Sequence, residues 1–126
     1  AEESESGKIV ILHTNDVHGA IDGYAKAAAL KKTYEDMGAY VLLMDAGDFS
    51  QGDPTVSASQ GATAVELMNL AGYDLAAPGN HEFDYGMDNF LTLAQERRST
   101  PICAATSPTW RGRPFWTPIR SWTTAT

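Results

Sequence analysis

Lys8-Ile9-Val10-Ile11-Leu12-His13-Thr14-Asn15-Asp16-Val17-His18-Gly19 is the stretch on which the reading of this chain turns. Its first six residues form a short, β-branched apolar run of the kind that makes a buried strand. Polarity then changes abruptly in a loop from Thr14 to Gly23, rich in Asn, Asp, His and Gly. Asp22-Gly23 within it reads as a turn. Beyond the loop, Ala27, Leu30, Tyr34 and Met37 recur at helical spacing between Tyr24 and Met37. Lys26, Lys31, Lys32, Glu35 and Asp36 fall on the other faces, which predicts an amphipathic helix. Gly38 is placed to stop it.

The same order of elements then returns. Residues 39–44 (Ala-Tyr-Val-Leu-Leu-Met) read as a second buried strand, followed by a polar loop from Asp45 to Gly52. Ala64, Leu67, Met68 and Ala71 give residues 62–71 a helical stripe that ends at Gly72. A short strand over Leu75-Ala76-Ala77 leads into a loop over residues 78–86. A third helix is expected over Met87 to Glu96, and a fourth strand over Pro101 to Ala104. Strands alternating with helices imply an α/β fold of parallel strands joined by right-handed crossovers.

Bulk properties set the limits. The chain has 126 residues, of which 43% are hydrophobic, enough for one domain with a core of its own. Its formal charge of −7 argues against binding the phosphate backbone of nucleic acid, although small anions remain open to it where metal ions supply the positive charge. The single cysteine, Cys103, excludes an intrachain disulfide and reads as a small buried apolar side chain. No apolar run approaches the ~20 residues a membrane span needs. The opening Ala1-Glu2-Glu3-Ser4-Glu5-Ser6 is acidic and polar, so residues 1–7 are expected to form a flexible tail, compatible with a mature end after signal cleavage.

Three polar clusters stand just beyond the ends of the first three expected strands: residues 15–19 (Asn-Asp-Val-His-Gly), 45–48 (Asp-Ala-Gly-Asp) and 79–82 (Gly-Asn-His-Glu). In an open parallel sheet those ends share one edge, where ligands bind. Asp16 and His18 flank Val17 and, on an extended backbone, point the same way. One hard oxygen and one imidazole suit Zn, Mn or Fe better than Ca. Asp48 offers a carboxylate able to bridge two ions, or else a helix cap; Asn80 offers an amide oxygen, or else a turn. Taken singly each is ordinary loop polarity, but three at successive strand ends point to a shared site able to activate water and neutralise a phosphoryl group with two cations.

The motifs, quoted together, are Ile11-Leu12-His13-Thr14-Asn15-Asp16-Val17-His18-Gly19, Asp45-Ala46-Gly47-Asp48 and Gly79-Asn80-His81-Glu82-Phe83-Asp84-Tyr85-Gly86. They resemble the opening motifs of the 5′-nucleotidase branch of the calcineurin-like metallophosphoesterases. The resemblance runs continuously from about Lys8 to Glu96 and stops in the segment that follows, and residues 67–69 (Leu-Met-Asn) and 71–74 (Ala-Gly-Tyr-Asp) share it. It implies the N-terminal half of a four-layer α/β/β/α sandwich and a metal-dependent phosphoric ester hydrolase acting on nucleotide monophosphates or related small phosphate esters. Asp16 and His18 would hold the first of two divalent metal ions (Zn, Mn or similar). Asp48 would bridge both ions and Asn80 would bind the second. His81 would face the phosphate, with Asp84 holding its orientation and protonation, and the nucleophile would be metal-bound hydroxide. His13 reads as a supporting histidine without a ligand role, and Asp45 and Glu82 as supporting or capping groups. The resemblance also implies an extracytoplasmic setting: periplasmic, cell-surface or secreted.

The chain departs from the pattern in its second part. The family's two-metal centre uses three further histidines from later in the domain, whereas the histidines here are His13, His18 and His81. Weak or absent turnover by these residues alone is therefore expected, and a non-catalytic metal- or partner-binding fragment is the alternative. The sheet face meant for a second sheet would be apolar and prone to self-association. Residues 97–126 are atypical, with Trp110, Trp116 and Trp122, four arginines from Arg98 to Arg120, and no acidic residue. A disordered extension and a basic-aromatic interaction tail are two readings of that segment. A shifted reading frame beginning between about Glu96 and Ser107 is the third, and codon logic favours it. Tryptophan has one codon, so triplets read across codon junctions are constrained. Out of register, the Trp116-Thr117 and Trp122-Thr123 junctions both encode aspartate, and Phe115-Trp116 encodes leucine. With permitted choices elsewhere, residues 107–124 read Pro-Asp-Leu-Glu-Gly-Gln-Ala-Leu-Leu-Asp-Pro-Tyr-Pro-Val-Leu-Asp-Tyr, which resembles the family's next segment.

Overall fold

The structure, a computed structural model, describes residues 4–96 together with 109–110 and 113–114. The chain runs β1 (Ile9–Thr14), α1 (Asp22–Asp36), β2 (Tyr40–Asp45), α2 (Pro54–Ala58), α3 (Ala62–Ala71), β3 (Leu75–Ala76), a 3₁₀ turn (His81–Phe83) and α4 (Met87–Glu96). A two-residue antiparallel pair, β4 (Thr109–Trp110) with β5 (Arg113–Pro114), follows. The strand expected over 101–104 and most of the atypical segment lie outside the described residues.

The first three strands form one parallel sheet in the order β1-β2-β3, with Ile9 opposite Tyr40 and Met44 opposite Leu75. This is the α/β arrangement the alternation implied. Helices α1 and α3 cover one face only. Leu43 and Ala76 from the sheet, Tyr24 from α1, and Ala64, Val65, Met68 and Ala71 from α3 form the core, with Leu12, Ala27 and Ala28 against it. On the opposite face Ile9 is 71% exposed, Ile11 57% and Tyr40 52%. The apolar run of β1, which reads in sequence as a buried strand, is thus buried on one side only. A row of apolar residues does not reveal which of its faces is covered.

Local differences have local causes. The first helix starts two residues before the expected Tyr24. Asp22-Gly23 is its first turn, where an acidic side chain suits the positive end of the helix. Gly38 and Gly72 do end α1 and α3, both with positive φ, and Gly72 donates back to the Asn69 carbonyl. Helix α2 was not expected. Five residues are too few for periodicity, but its start is marked: Asp53 accepts from the Thr55 amide at 2.8 Å and Pro54 occupies the first turn. The N-terminal stretch is tied down at Glu5, whose amide donates to the Met37 carbonyl at 2.9 Å.

Candidate metal centre

The loops that leave β1, β2 and β3 are stitched together at the carboxyl edge of the sheet. From the β1 loop, the Asp16 amide donates to the Gly47 carbonyl at 3.1 Å and the His18 amide to the Asp48 carbonyl at 3.0 Å. From the β3 loop, the His81 amide donates to Asp48 Oδ1 at 2.9 Å. Ser50 Oγ donates to the His81 carbonyl at 3.0 Å. Gly79 allows the close approach: a Cβ there would collide with the Asp48 carboxylate and backbone.

Directly beneath lies a buried polar layer. Asp45, 3% exposed, accepts from the Gly47 amide at 2.8 Å and from the Thr14 hydroxyl. Tyr73 lies 3.0 Å from the Thr14 oxygen. Burial raises the Asp45 pKa, and the Thr14 and Gly47 hydrogen bonds oppose that rise. Asp45 is thus a support of the β2 loop, as its position in the sequence implied.

Above this layer, ligand-capable atoms of His18, Asp48 and His81 all lie within 4.8 Å of one another. The His18 and His81 rings meet edge to face, with centroids 5.2 Å apart. Asp16 stands beside this trio rather than in it. Its Oδ1 is 3.6 Å from His18 Nε2, and its other oxygen accepts from the Asn15 amide group. Asn80 stands at the start of the 3₁₀ turn, immediately before His81. His13 is exposed at the end of β1.

The expectation that Asp16 and His18 share a direction through an extended backbone needs correction. Strand β1 ends at Thr14, and the two residues have φ of 53° and 45°. They converge through left-handed turns, not through the pleat of a strand. Asp48 has φ 61°, so three candidate ligands hold a conformation that costs a non-glycine residue about 1–2 kcal/mol. Of the four non-glycine residues with positive φ among the described residues, these three stand together at the carboxyl edge of the sheet, and Gln60 is the fourth.

His81 Nδ1 lies 2.7 Å from Asp84 Oδ2, and the Gln51 amide terminus lies 2.8 Å from the same nitrogen. One nitrogen cannot donate to Asp84 and accept from Gln51 at once. The carboxylate is the stronger partner, so Nδ1 carries the proton and donates to Asp84, and the Gln51 amide group is a neighbour of that bond. The Asp84 hydrogen bond, aided by the charges of Asp84, Asp48 and Glu82, raises the His81 pKa. Nε2 is then the ring nitrogen that can act on a bound group. Gln51 had no signal in the sequence beyond its place three residues after Asp48.

The imidazole of His18 and the carboxylate of Asp48 are donors that suit a borderline divalent ion such as Zn or Mn. Residues 9–113 match the calcineurin-like phosphoesterase family.

The chain belongs to that family. Among its relatives, a snake venom 5′-nucleotidase from Gloydius brevicauda is 35% identical over 116 residues, covering 79% of this chain and 20% of the relative. The 5′-nucleotidase of Bos taurus is 32% identical over 115 residues, covering 78% of this chain and 20% of its own length. The chain thus spans about a fifth of the length of these relatives. A crystal structure of a Staphylococcus aureus protein described as a 5′-nucleotidase superposes with a TM-score of 0.61 at 24% identity, covering 75% of this chain and 22% of that one. That likeness establishes the shared fold. The family match runs to residue 113, beyond Glu96, where the sequence reading places the end of the resemblance.

Proposed function

We propose that this phosphoesterase chain supplies the N-terminal half of a two-metal site that hydrolyses nucleotide 5′-monophosphates or closely related phosphate esters. The observation that carries the reading is the convergence of His18, Asp48 and His81 within 4.8 Å, with Asp84 bonded to His81. Asp16 and His18 would hold one divalent ion, and Asp48 and Asn80 would supply a carboxylate and an amide oxygen to a second. When bound, such ions would supply an activated water and charge to neutralise the phosphoryl oxygens. His81 Nε2 faces the phosphate, and Asp84 on Nδ1 keeps the ring in one tautomer and favours its protonated form. A protonated imidazole there stabilises charge on the departing oxygen.

The names of the venom and bovine relatives support a nucleotide substrate, and the venom source supports an extracytoplasmic setting. Among the described residues no helix is long and apolar enough to cross a membrane. For these 126 residues taken alone we infer weak turnover or metal binding without turnover, since their histidines are His13, His18 and His81. The test is phosphate release from adenosine 5′-monophosphate and from p-nitrophenyl phosphate with Mn²⁺ or Zn²⁺ added. Release that disappears in His81→Ala and Asp84→Ala supports catalysis. A chain that binds the metal but stays inert at every metal concentration supports the fragment reading.

A further inference from the structure

Glu82 is fully buried, at 0% exposure, and its carboxylate accepts four hydrogen bonds from backbone. Its Oε2 accepts from the Asp48 amide at 2.8 Å and from the Gly79 amide. Its Oε1 accepts from the Phe49 amide at 2.9 Å and the Ser50 amide at 3.0 Å. Among the described residues no cationic side chain pairs with it. Three successive N–H groups of the β2 loop therefore form a concave nest, and the chain fills that nest with its own carboxylate. The fourth donor belongs to the β3 loop. One side chain thus fixes the loop carrying Asp48 to the loop carrying Asn80 and His81.

Resting on the metal-site reading above, we propose that Glu82 is a positioning residue that sets the spacing of Asp48 relative to Asn80 and His81. An ionised carboxylate meets the need because both oxygens accept and neither donates. A glutamine amide in its place, in either orientation, would set its NH₂ group against two of the four backbone donors. Buried donors left without an acceptor are costly, so the two loops would separate. Asp48 and Asn80 would then lose the spacing that lets them serve one ion, and His81 would lose its place beside it.

The experiment compares the full 126-residue chain with Glu82→Gln, Glu82→Asp and the core variant Met68→Ala. Mn²⁺ and Zn²⁺ binding is measured by calorimetry, and amide hydrogen exchange is measured without metal. Glu82→Gln is expected to weaken binding at least ten-fold and to speed exchange at Asp48, Phe49, Ser50 and Gly79 together. Met68→Ala is expected to lower the melting temperature and leave affinity unchanged. Glu82→Asp retains the charge one methylene short and is expected to fall between Glu82→Gln and the parent; it carries the test if Glu82→Gln does not fold. Parent-like affinity in Glu82→Gln, or in Glu82→Asp where only that folds, overturns the proposal. So does an equal loss in Met68→Ala, which would mark a merely structural role. A parent chain that binds neither ion overturns the metal-site reading itself and the proposal with it.

Discussion

Replacing Gly47 by alanine measures how tightly the β2 and β3 loops are held together. Gly47 has φ +109°, and a Cβ there would meet Gly79 Cα at 2.8 Å and the Pro78 carbonyl carbon at 3.0 Å, with Gly79 N closer still. Gly86 is the internal control: its φ is +86° and nothing lies within 4 Å of an added Cβ. Gly86→Ala therefore carries only the cost of a positive φ, about 1–2 kcal/mol. Gly47→Ala carries that cost plus a clash with backbone that cannot swing aside, about 1–3 kcal/mol more. The total of about 2–5 kcal/mol is a large share of the roughly 5–15 kcal/mol that stabilises a domain. At about 4–8 °C per kcal/mol for a small domain, Gly47→Ala should melt about 4 °C to about 24 °C below Gly86→Ala. Thermal unfolding followed by circular dichroism reads the difference. Equal melting temperatures would show that the two loops are not in contact at Gly47, and the account of the site as one stitched unit would fail.

Three further outcomes are expected. Asp84→Asn removes the partner that raises the His81 pKa, so an NMR titration of the metal-free chain should show His81 titrating at lower pH than in the parent. Because that pKa is raised in the folded chain, the pair stabilises below the ordinary histidine pKa and loses its contribution as pH rises through the folded value; unchanged titration would refute the pairing. Ile9→Lys with Ile11→Lys should reduce concentration-dependent association in sedimentation velocity, and an already monomeric parent would rule out self-association through that face. In the encoding DNA, the frame one base out of register should be open across the codons for residues 107–124 and continue into family-like sequence; stop codons there would exclude the shifted frame.

The parallel α/β order was legible because each strand is a short apolar run, each long helix carries a 3.6-residue stripe, and Gly38 and Gly72 mark helix ends. The convergence of Asp48 and His81 followed from their places beyond successive strand ends, where topology forces loops together. The left-handed backbone of Asp16, His18 and Asp48 was not read from the sequence: aspartate and histidine are enriched at positive φ, but only a few per cent of non-glycine residues adopt it, so residue type alone does not mark the position. Glu82 was placed only as a support. Its partners in the β2 loop lie 32 to 34 residues earlier, and no local pattern records contacts that distant. Gln51 escaped notice for the same reason: its neighbour His81 is 30 positions away.

The Glu82 clamp also bears on the order in which the molecule is made. Contacts between residues far apart in sequence form late, because the intervening chain must first be drawn together. A nascent chain that has not yet released Glu82 presents the Asp48, Phe49 and Ser50 amides without their acceptor. Competence to capture an ion is therefore expected to arrive in one step, when the third strand docks and its loop closes over the second. Until then the growing polypeptide should not sequester metal at half-built loops.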